Sequence, residues 1–250
     1  MEHNYSFPGA EIEKVRVKLT WAQIEITSVA ADVFNVNIAG YQDSMDELHV
    51  ELKDDELVIQ QPQYTAAQNI LPKRRWLQIC LFVPESWKDA EMDISTVSGT
   101  ASLRKLRGKE MSFSTISGRM NVNEIKGKEI SLRTVSGGIS GTNIASKHLH
   151  LRTVSGNITL ADLSFDSAKT FSISGNTTLS IDGDDCESLE LQSISGDIVI
   201  EVEKPIKGAS LHSFNGQYSI EEGLENSGEH FIIQASSVSG SLSIHKKKDS

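Results

Sequence analysis

The sequence predicts an all-β fold, a parallel β-solenoid (β-helix) of 19–20 residues per coil with an irregular β cap at its N-terminus. A four-residue pattern occurs eight times: a small hydroxyl residue, an aliphatic or aromatic residue, Ser (once Asn) and Gly. Its glycines are 19, 19, 19, 19, 21, 20 and 24 residues apart, a regular period that is typical of stacked, similar units. Between them apolar and polar residues alternate, and Thr, Val, Ile and Ser predominate, which favours strands over helices.

Residues 1–90 lack this pattern but keep the alternation, and we predict that they form the cap and degenerate coils. A hairpin turn is predicted at Asp54 and Asp55, and a loop over 61–75. The segments that resemble coils or strands are 18–26, 33–38, 48–52, 56–59 and 76–83. Three tryptophans are predicted to cover the open end of the solenoid: Trp21, Trp76 and Trp87.

Residues 91–245 are predicted to be the regular solenoid, continuous with the cap, and the charged residues 246–250 a disordered tail. Around Gly156, Leu151 alternates with polar neighbours before the corner and Ile158 does so after it. This pattern indicates two short strands joined by a bend. The other copies carry mostly apolar residues at the same offsets, as stacked coils require, because each inward side chain packs on its counterpart.

The serine and glycine of each copy are the predicted structural corner. We expect glycine there because it adopts positive φ without steric cost. The serine hydroxyl can bond backbone groups of the bend, and the Thr or Ser two places earlier can do the same facing inward. The corner residues are Ser98, Gly99, Ser117, Gly118, Ser136, Gly137, Ser155, Gly156, Ser174, Gly175, Ser195, Gly196, Gly216, Ser239 and Gly240.

The aliphatic or aromatic residue between the two hydroxyl residues is either tucked inside by the bend or forms an exposed apolar stripe, and we expect it inside. This column consists of Val97, Ile116, Val135, Val154, Ile173, Ile194, Phe214 and Val238. A second, weaker corner is predicted at Gly108, at Gly127 and at 145–148, as solvent-facing turns.

The sequence gives little support for a catalytic or a metal-binding site. A catalytic serine is singular and needs a base, whereas these serines recur and the G-x-S-x-G elbow is absent. Outward-facing residues one period apart form a charged column of Glu91, Glu110, Glu129 and His148, and neighbouring lysines indicate a solvated charge ladder. The acidic turn that begins at Asp182 is single, unlike a repeated calcium-binding motif. We therefore predict no enzyme activity, no metal and no cofactor.

Charge and cysteine content limit the partners and the compartment. The net charge of −10 argues against nucleic acid. Cys80 and Cys186 stand alone, in no metal-like or redox-like spacing, and fit a reducing compartment without a disulfide. No signal peptide and no transmembrane segment are predicted, so the expected location is cytoplasmic as encoded, with the cell surface as the alternative if the N-terminus is incomplete.

The repeated corners, the segment 21–26 and the strand-like 77–84 together resemble a bacterial β-strand-repeat family of unknown function whose members bear the name putative adhesin. The resemblance covers about residues 10–246 and brings no catalytic or binding residues with it. It implies a non-enzymatic scaffold that contacts a protein or a cell-envelope polysaccharide through one repetitive face.

Two alternatives stay open, and the oligomeric state is left open with them. One is a cytosolic protein-interaction or regulatory scaffold, which the missing signal and the two cysteines favour. The other is a polysaccharide-acting β-helix enzyme, which would need outward carboxylates along a groove and has only the Glu91–Glu110–Glu129 column to offer.

Overall fold

The computed structural model describes residues 2–62, 76–182, 186–224 and 231–247. Within them the chain forms twenty β-strands in one continuous sheet, a 3₁₀ turn at Gly9–Glu11 and one short helix, α1, at Gln42–Asp46. The prediction of an all-β fold is confirmed.

The N-terminal strands are β1 (Glu2–Pro8), β2 (Lys14–Leu19), β3 (Gln23–Val29), β4 (Val33–Gly40), β5 (His49–Lys53), β6 (Glu56–Gln60) and β7 (Leu77–Pro84). The central strands are β8 (Glu91–Thr96), β9 (Ala101–Arg104), β10 (Arg107–Thr115), β11 (Met120–Thr134), β12 (Ile139–Arg152) and β13 (Ile158–Ser172). The C-terminal strands are β14 (Thr177–Ile181), β15 (Ser188–Ser193), β16 (Ile198–Val202), β17 (Gly208–Ser213), β18 (Tyr218–Ile220), β19 (Ile232–Ser237) and β20 (Leu242–Lys246).

Each coil contributes to two parallel stacks of strands. The first stack contains β6, β2, β8, β10, the second halves of β11, β12 and β13, and then β15, β19 and β17. The second contains β7, β3, β9, the first halves of β11, β12 and β13, and then β14, β16, β20 and β18. In the centre, Ile130 pairs with Met111 in one neighbouring coil and with Leu149 in the other, 19 residues away in each direction.

The long strands β11, β12 and β13 bend sharply where they pass from one stack to the other. The bend is made by a non-glycine residue with positive φ: Glu124 (56°), Asn143 (57°) and Asp162 (53°), and by Lys105 (55°) in the coil before them. The turns predicted at Gly108, Gly127 and 145–148 are therefore wrong, because these residues lie inside β10, β11 and β12. The change of direction occurs three residues earlier, at a left-handed residue whose type carries no glycine signal.

The core lies between the two stacks and consists of inward-facing aliphatic and aromatic residues in columns. One column of the first stack contains Ile94, Phe113, Leu132 and Leu151, and each is at most 2% exposed. Burying an aliphatic side chain of this size contributes about 1.5–3 kcal/mol, so the columns are the main source of stability.

The N-terminal part contains a coil formed by β2 and β3, which pair in parallel with β8 and β9 on one side and with β6 and β7 on the other. Residues 18–26, predicted to be a degenerate coil, cover the end of β2 and the first part of β3. The predicted hairpin joins β5 and β6, with Asp54 at φ 55°. Antiparallel β4 and β1 continue the second stack outward. Of the predicted loop 61–75, residues 63–75 lie outside the described residues.

The tryptophans differ in their exposure. The Trp87 Nε1–H donates to the carbonyl oxygen of Ile12 at 2.7 Å, and its ring lies edge-on to Phe34 at a centroid distance of 5.4 Å. Trp21 is partly buried, whereas Trp76 is 47% exposed and contacts Tyr41. Trp87 therefore closes the core at this end, and Trp76 lies on the surface.

The last two coils stack out of chain order. The coil of β19 and β20 lies between the coil of β15 and β16 and the coil of β17 and β18. The Ser239 N–H donates to the carbonyl oxygen of Ile194 at 2.9 Å, and the Asn215 N–H donates to that of Val238 at 2.8 Å. The outermost coil at this end is therefore the penultimate one in sequence. The N-terminal end has the same arrangement, because the β2–β3 coil is covered by β6 and β7, which follow it in sequence.

Candidate functional site

The predicted corner residues lie in the bends between the two stacks, where the serines are exposed and the glycines are buried, Gly216 being half-buried. The Ser117 hydroxyl donates to the carbonyl oxygen of Val97 in the preceding coil at 3.1 Å. The Gly118 N–H donates to the buried Thr115 Oγ1 at 2.9 Å. The other corners repeat one or both of these bonds.

The predicted reason for the corner glycines is wrong. Among the described glycines only Gly223 has a positive φ, at 86°. A Cβ on Gly118 would instead overlap the carbonyl oxygen of Gly99, and the same holds from coil to coil along the column. Glycine is required because successive backbones approach each other too closely for any side chain.

The aliphatic column of the corner is exposed, and the prediction that it is tucked inside is wrong. The exposed fractions are 41% for Val97, 49% for Ile116, 44% for Val135, 45% for Ile194, 48% for Val238 and 84% for Phe214, while Val154 and Ile173 are half-buried. The Thr or Ser and the Gly of each corner take the inward positions, and both are buried except at Ser213 and Gly216, so the aliphatic or aromatic residue between them points outward. We call this column the apolar stripe.

The apolar stripe borders the outer face of the first stack, which we call the front face. In the strands β8 and β10, the outward position four residues before the corner glycine holds Ser95 and Ser114. In the next two coils the same column holds Arg133 and Arg152, which are paired in register. A cavity of about 560 Å³ lies beside the stripe and is lined by Lys18, Ser95, Ser114, Val97, Ile116, Val135, Arg133 and Arg152, among others.

A basic patch occupies the centre of the front face and consists of Arg133, His150, Arg152 and Lys169, all exposed. The Arg152 guanidinium lies over the Phe171 ring, 5.3 Å from its centroid. Lys169 pairs with Glu190 at 3.2 Å. This patch was not predicted from the sequence, although Arg133, His150, Arg152 and Lys169 all stand four or six residues before a corner glycine.

An acidic column runs along the far edge of the front face. Glu91, Glu110 and Glu129 are paired in register, as predicted, and His148 follows Glu129. Lys14 binds Glu91 at 3.0 Å, and Lys109 binds Glu110 at 3.4 Å. No group of three or more potential metal ligands lies in the described parts of the chain. The column therefore has the character of a charge ladder with cationic partners.

Polar residues that directly follow three of the corner glycines form hydrogen bonds to the backbone of the next coil. The Asn157 Oδ1 accepts from the Asn176 N–H at 3.1 Å, and the Asn176 Oδ1 accepts from the Asp197 N–H at 3.1 Å. The Asp197 Oδ1 then accepts from the Ser241 N–H at 2.9 Å, in the inserted coil. At these three positions the side-chain oxygens join successive coils.

A charged cluster ties the inserted coil to its neighbours. The Lys247 Nζ donates to Asp162 Oδ1 at 2.8 Å and lies 3.3 Å from Asp182 Oδ1. A hydrogen bond from Glu203 lowers the pKa of Asp182 and raises that of Glu203, and the bond to Asp162 raises the pKa of Lys247. Of the predicted tail, Lys246 ends β20 and the Lys247 N–H binds the carbonyl oxygen of Val202, whereas 248–250 lie outside the described residues, as do 183–185 of the acidic turn.

Two further features carry no ligand chemistry of their own. A cavity of about 870 Å³ near the N-terminal strands is lined by charges of both signs, among which Arg16 and Glu56 pair at 3.1 Å. Cys80 and Cys186 are both thiols, the first partly and the second fully buried. Burial, together with the nearby charge of Glu25, raises the pKa of Cys80 and disfavours the reactive thiolate.

Comparison with known proteins places the fold. The family model of Toastrack, DUF4097, matches residues 12–250. No curated protein matches the sequence. In the described part of the chain no helix is long and apolar enough to cross a membrane.

Solved structures with the same fold have low sequence identity. A protein from Parabacteroides distasonis described as a "putative lipid binding protein" has a TM-score of 0.62 at 18% identity and covers 99% of this chain and 97% of its own. A "putative adhesin" from Bacteroides fragilis has a TM-score of 0.59 at 13% identity, with the same coverage of both chains. Another "putative adhesin", from Parabacteroides merdae, has a TM-score of 0.52 at 10% identity and covers 99% and 96%. The chain belongs to the Toastrack family, DUF4097, a β-solenoid-like family of unknown function.

Proposed function

We propose that this protein is a non-enzymatic, adhesin-like binding scaffold. In this proposal a solenoid of 19–20-residue coils over 91–245, with an irregular cap over 1–90, presents its front face to a protein or cell-envelope polymer. The observation that supports it is the apolar stripe, whose members Val97, Ile116 and Val135 are 41–49% exposed in consecutive coils. Large contiguous apolar patches are uncommon on the surface of monomeric proteins and often mark binding sites.

The electrostatics of the front face also support a binding role. The chain carries a net charge of −10, yet Arg133, His150, Arg152 and Lys169 lie together beside the stripe. Such a local reversal of charge attracts partners that the rest of the surface repels. The parallel stacks hold these side chains at a spacing of about 4.8 Å from coil to coil, so the surface is preorganised for a ligand. The adhesin names of the structural neighbours agree with this role.

The test is sedimentation of the full chain with purified bacterial cell-wall sacculi. We expect the unsubstituted protein to sediment with them and the double variant Ile116→Gln/Val135→Gln to lose at least tenfold in apparent affinity. The matched control is Val33→Gln, because Val33 is also an exposed valine, at 38%, but lies on β4 in the cap. No sedimentation of the unsubstituted protein, or equal losses in both variants, would contradict the proposal.

A second candidate is a cytosolic protein-interaction or regulatory scaffold, which the two thiols favour. The front face would then bind a protein inside the cell. Fractionation of source cells into cytosol, membrane and surface, probed with an antibody, separates the two candidates. Protein at the surface supports the adhesin-like scaffold, and protein confined to the cytosol supports the regulatory one.

A further inference from the structure

We propose that the front face binds a single-chain anionic amphiphile, with its carboxylate or phosphate on Arg133 and Arg152 and its apolar chain along Val97, Ile116 and Val135. The proposal goes beyond the proposed function, because it assigns the same face a small-molecule ligand in addition to a protein or cell-envelope polymer. It follows from three features of the face: a trough, an apolar wall, and two guanidinium groups that have no carboxylate partner among the described residues, one of them, Arg152, lying over the Phe171 ring.

The trough arises from a change of residue size within one column. Ser95 and Ser114 leave the surface low in two consecutive coils, and Arg133 in the next coil closes the depression at one end. Lys18 borders the other end. The volume of about 560 Å³ lies within the range of about 300–1,000 Å³ that small-molecule sites occupy.

The head-group site is the pair of arginines. Arg133 and Arg152 occupy paired positions in adjacent strands, so their Cα atoms are about 4.8 Å apart and their charges repel each other. Within the described part of the chain, neither guanidinium forms an ion pair with a carboxylate. A carboxylate or phosphate between them would relieve the repulsion and accept charge-assisted, bidentate hydrogen bonds.

The acidic column does not oppose this charge at close range. Glu129 lies four residues before Arg133 in an extended strand, a separation of about 13 Å along the strand. It is also on the side of the arginine column that faces away from the trough. At about 0.15 M salt the Debye length is about 8 Å, so Glu129 contributes little to the potential at the arginines.

The apolar wall favours a hydrocarbon chain over a peptide. The stripe presents one methyl-bearing side chain every 4.8 Å or so, whereas an extended peptide repeats its facing side chains every 6.8 Å or so. A peptide laid along the stripe would also leave its backbone N–H and C=O groups against apolar atoms. A hydrocarbon chain has no polar groups and no fixed period, so it can follow the stripe without either conflict.

The experiment is isothermal titration of the full chain, below micelle formation, with decanoate, dodecanoate, dodecyl phosphate and dodecyltrimethylammonium. We expect both dodecyl anions to bind at least tenfold more tightly than the dodecyl cation. Dodecanoate should bind about fourfold more tightly than decanoate, because a half-buried methylene gives roughly a twofold gain in an open trough. Tighter binding of dodecanoate than of dodecyl phosphate would identify the ligand as a fatty acid. Tighter binding of dodecyl phosphate would identify it as a phosphate-bearing lipid.

Substitutions locate the site. The double variant Arg133→Gln/Arg152→Gln should lower the affinity for dodecanoate at least tenfold. The control Arg119→Gln, at an exposed arginine on the other side of the corner, should leave this affinity unchanged. We expect each variant to unfold thermally at the same midpoint temperature as the unsubstituted protein, which would confirm that its fold is intact. Equal affinity for the cationic amphiphile, or equal effects of the two arginine changes, would overturn the amphiphile proposal. If Ile116→Gln/Val135→Gln still abolished binding to sacculi in that case, the front face would remain a binding face for another ligand.

Discussion

At each corner a glycine lies against the carbonyl oxygen of the preceding coil, and two adjacent glycines allow this contact to be tested. A Cβ on Gly137 would overlap the carbonyl oxygen of Gly118, whereas a Cβ on Gly138 would meet its nearest atom, the carbonyl oxygen of Asn157, at 3.7 Å. Gly137→Ala must push two coils apart, so we expect it to lower the free energy of unfolding by about 3 kcal/mol or more. Gly138→Ala should change it by less than about 0.5 kcal/mol. Urea unfolding followed by circular dichroism measures both, and similar losses in the two variants would contradict the close-approach argument.

The residue scale also shows what a period can and cannot predict. The recurrence of Ser and Gly locates eight corners, because a column of identical residues implies a shared backbone constraint. It does not tell whether that constraint is a positive φ or the proximity of another coil, since both select glycine. The orientation of Val135 follows from the same geometry: Thr134 and Gly137 face inward, and only the bend in three dimensions shows that the residue between them faces solvent.

Among the elements, the bent strand β11 carries a measurable strain at Glu124, whose φ is 56°. A left-handed conformation costs a non-glycine residue about 1–2 kcal/mol, and glycine avoids this cost but loses more entropy on folding. We therefore expect Glu124→Gly to raise the free energy of unfolding by about 0.5–1 kcal/mol. Glu129→Gly, an exposed position of the same strand without positive φ, should lower it by about 0.5–1 kcal/mol. Opposite signs in chemical denaturation support the assignment, and a destabilised Glu124→Gly refutes it.

The second corner illustrates why element boundaries are harder to predict than element types. The sequence predicts the turn at Gly108 and Gly127, because glycine is the usual residue of a bend. The bend lies instead at Lys105, Glu124, Asn143 and Asp162, a column in which only Asn and Asp are common left-handed residues. Because tertiary stacking imposes this conformation on whichever residue occupies the position, no local signal marks it.

For the whole molecule, the order of the coils is the feature that the sequence conceals most effectively. All coils carry similar inward residues, such as Leu191, Leu211 and Ala235 in one column, so either stacking order satisfies the repeat. A weak signal does exist, because terminal repeats are atypical. Phe214 replaces the usual aliphatic residue, and Tyr218, in a column that is otherwise buried in the neighbouring coils, is 62% exposed. The penultimate repeat thus has the character of an end, which fits its position outside the inserted coil.

Disulfide trapping tests this order. Ser195 and Ser239 occupy adjacent coils, so their Cα atoms are about 4.8 Å apart, whereas the inserted coil separates Ser195 from Asn215 by about 10 Å. A disulfide requires Cα atoms within about 7 Å. In a Cys80→Ser/Cys186→Ala background, Ser195→Cys/Ser239→Cys should therefore cross-link on mild oxidation, and Ser195→Cys/Asn215→Cys should not. Non-reducing mass spectrometry of a protease digest distinguishes the products. Cross-linking of the second pair instead of the first would mean that the coils stack in chain order. The position of β19 and β20 between their neighbours, and the contacts of Lys247 that depend on it, would then be wrong.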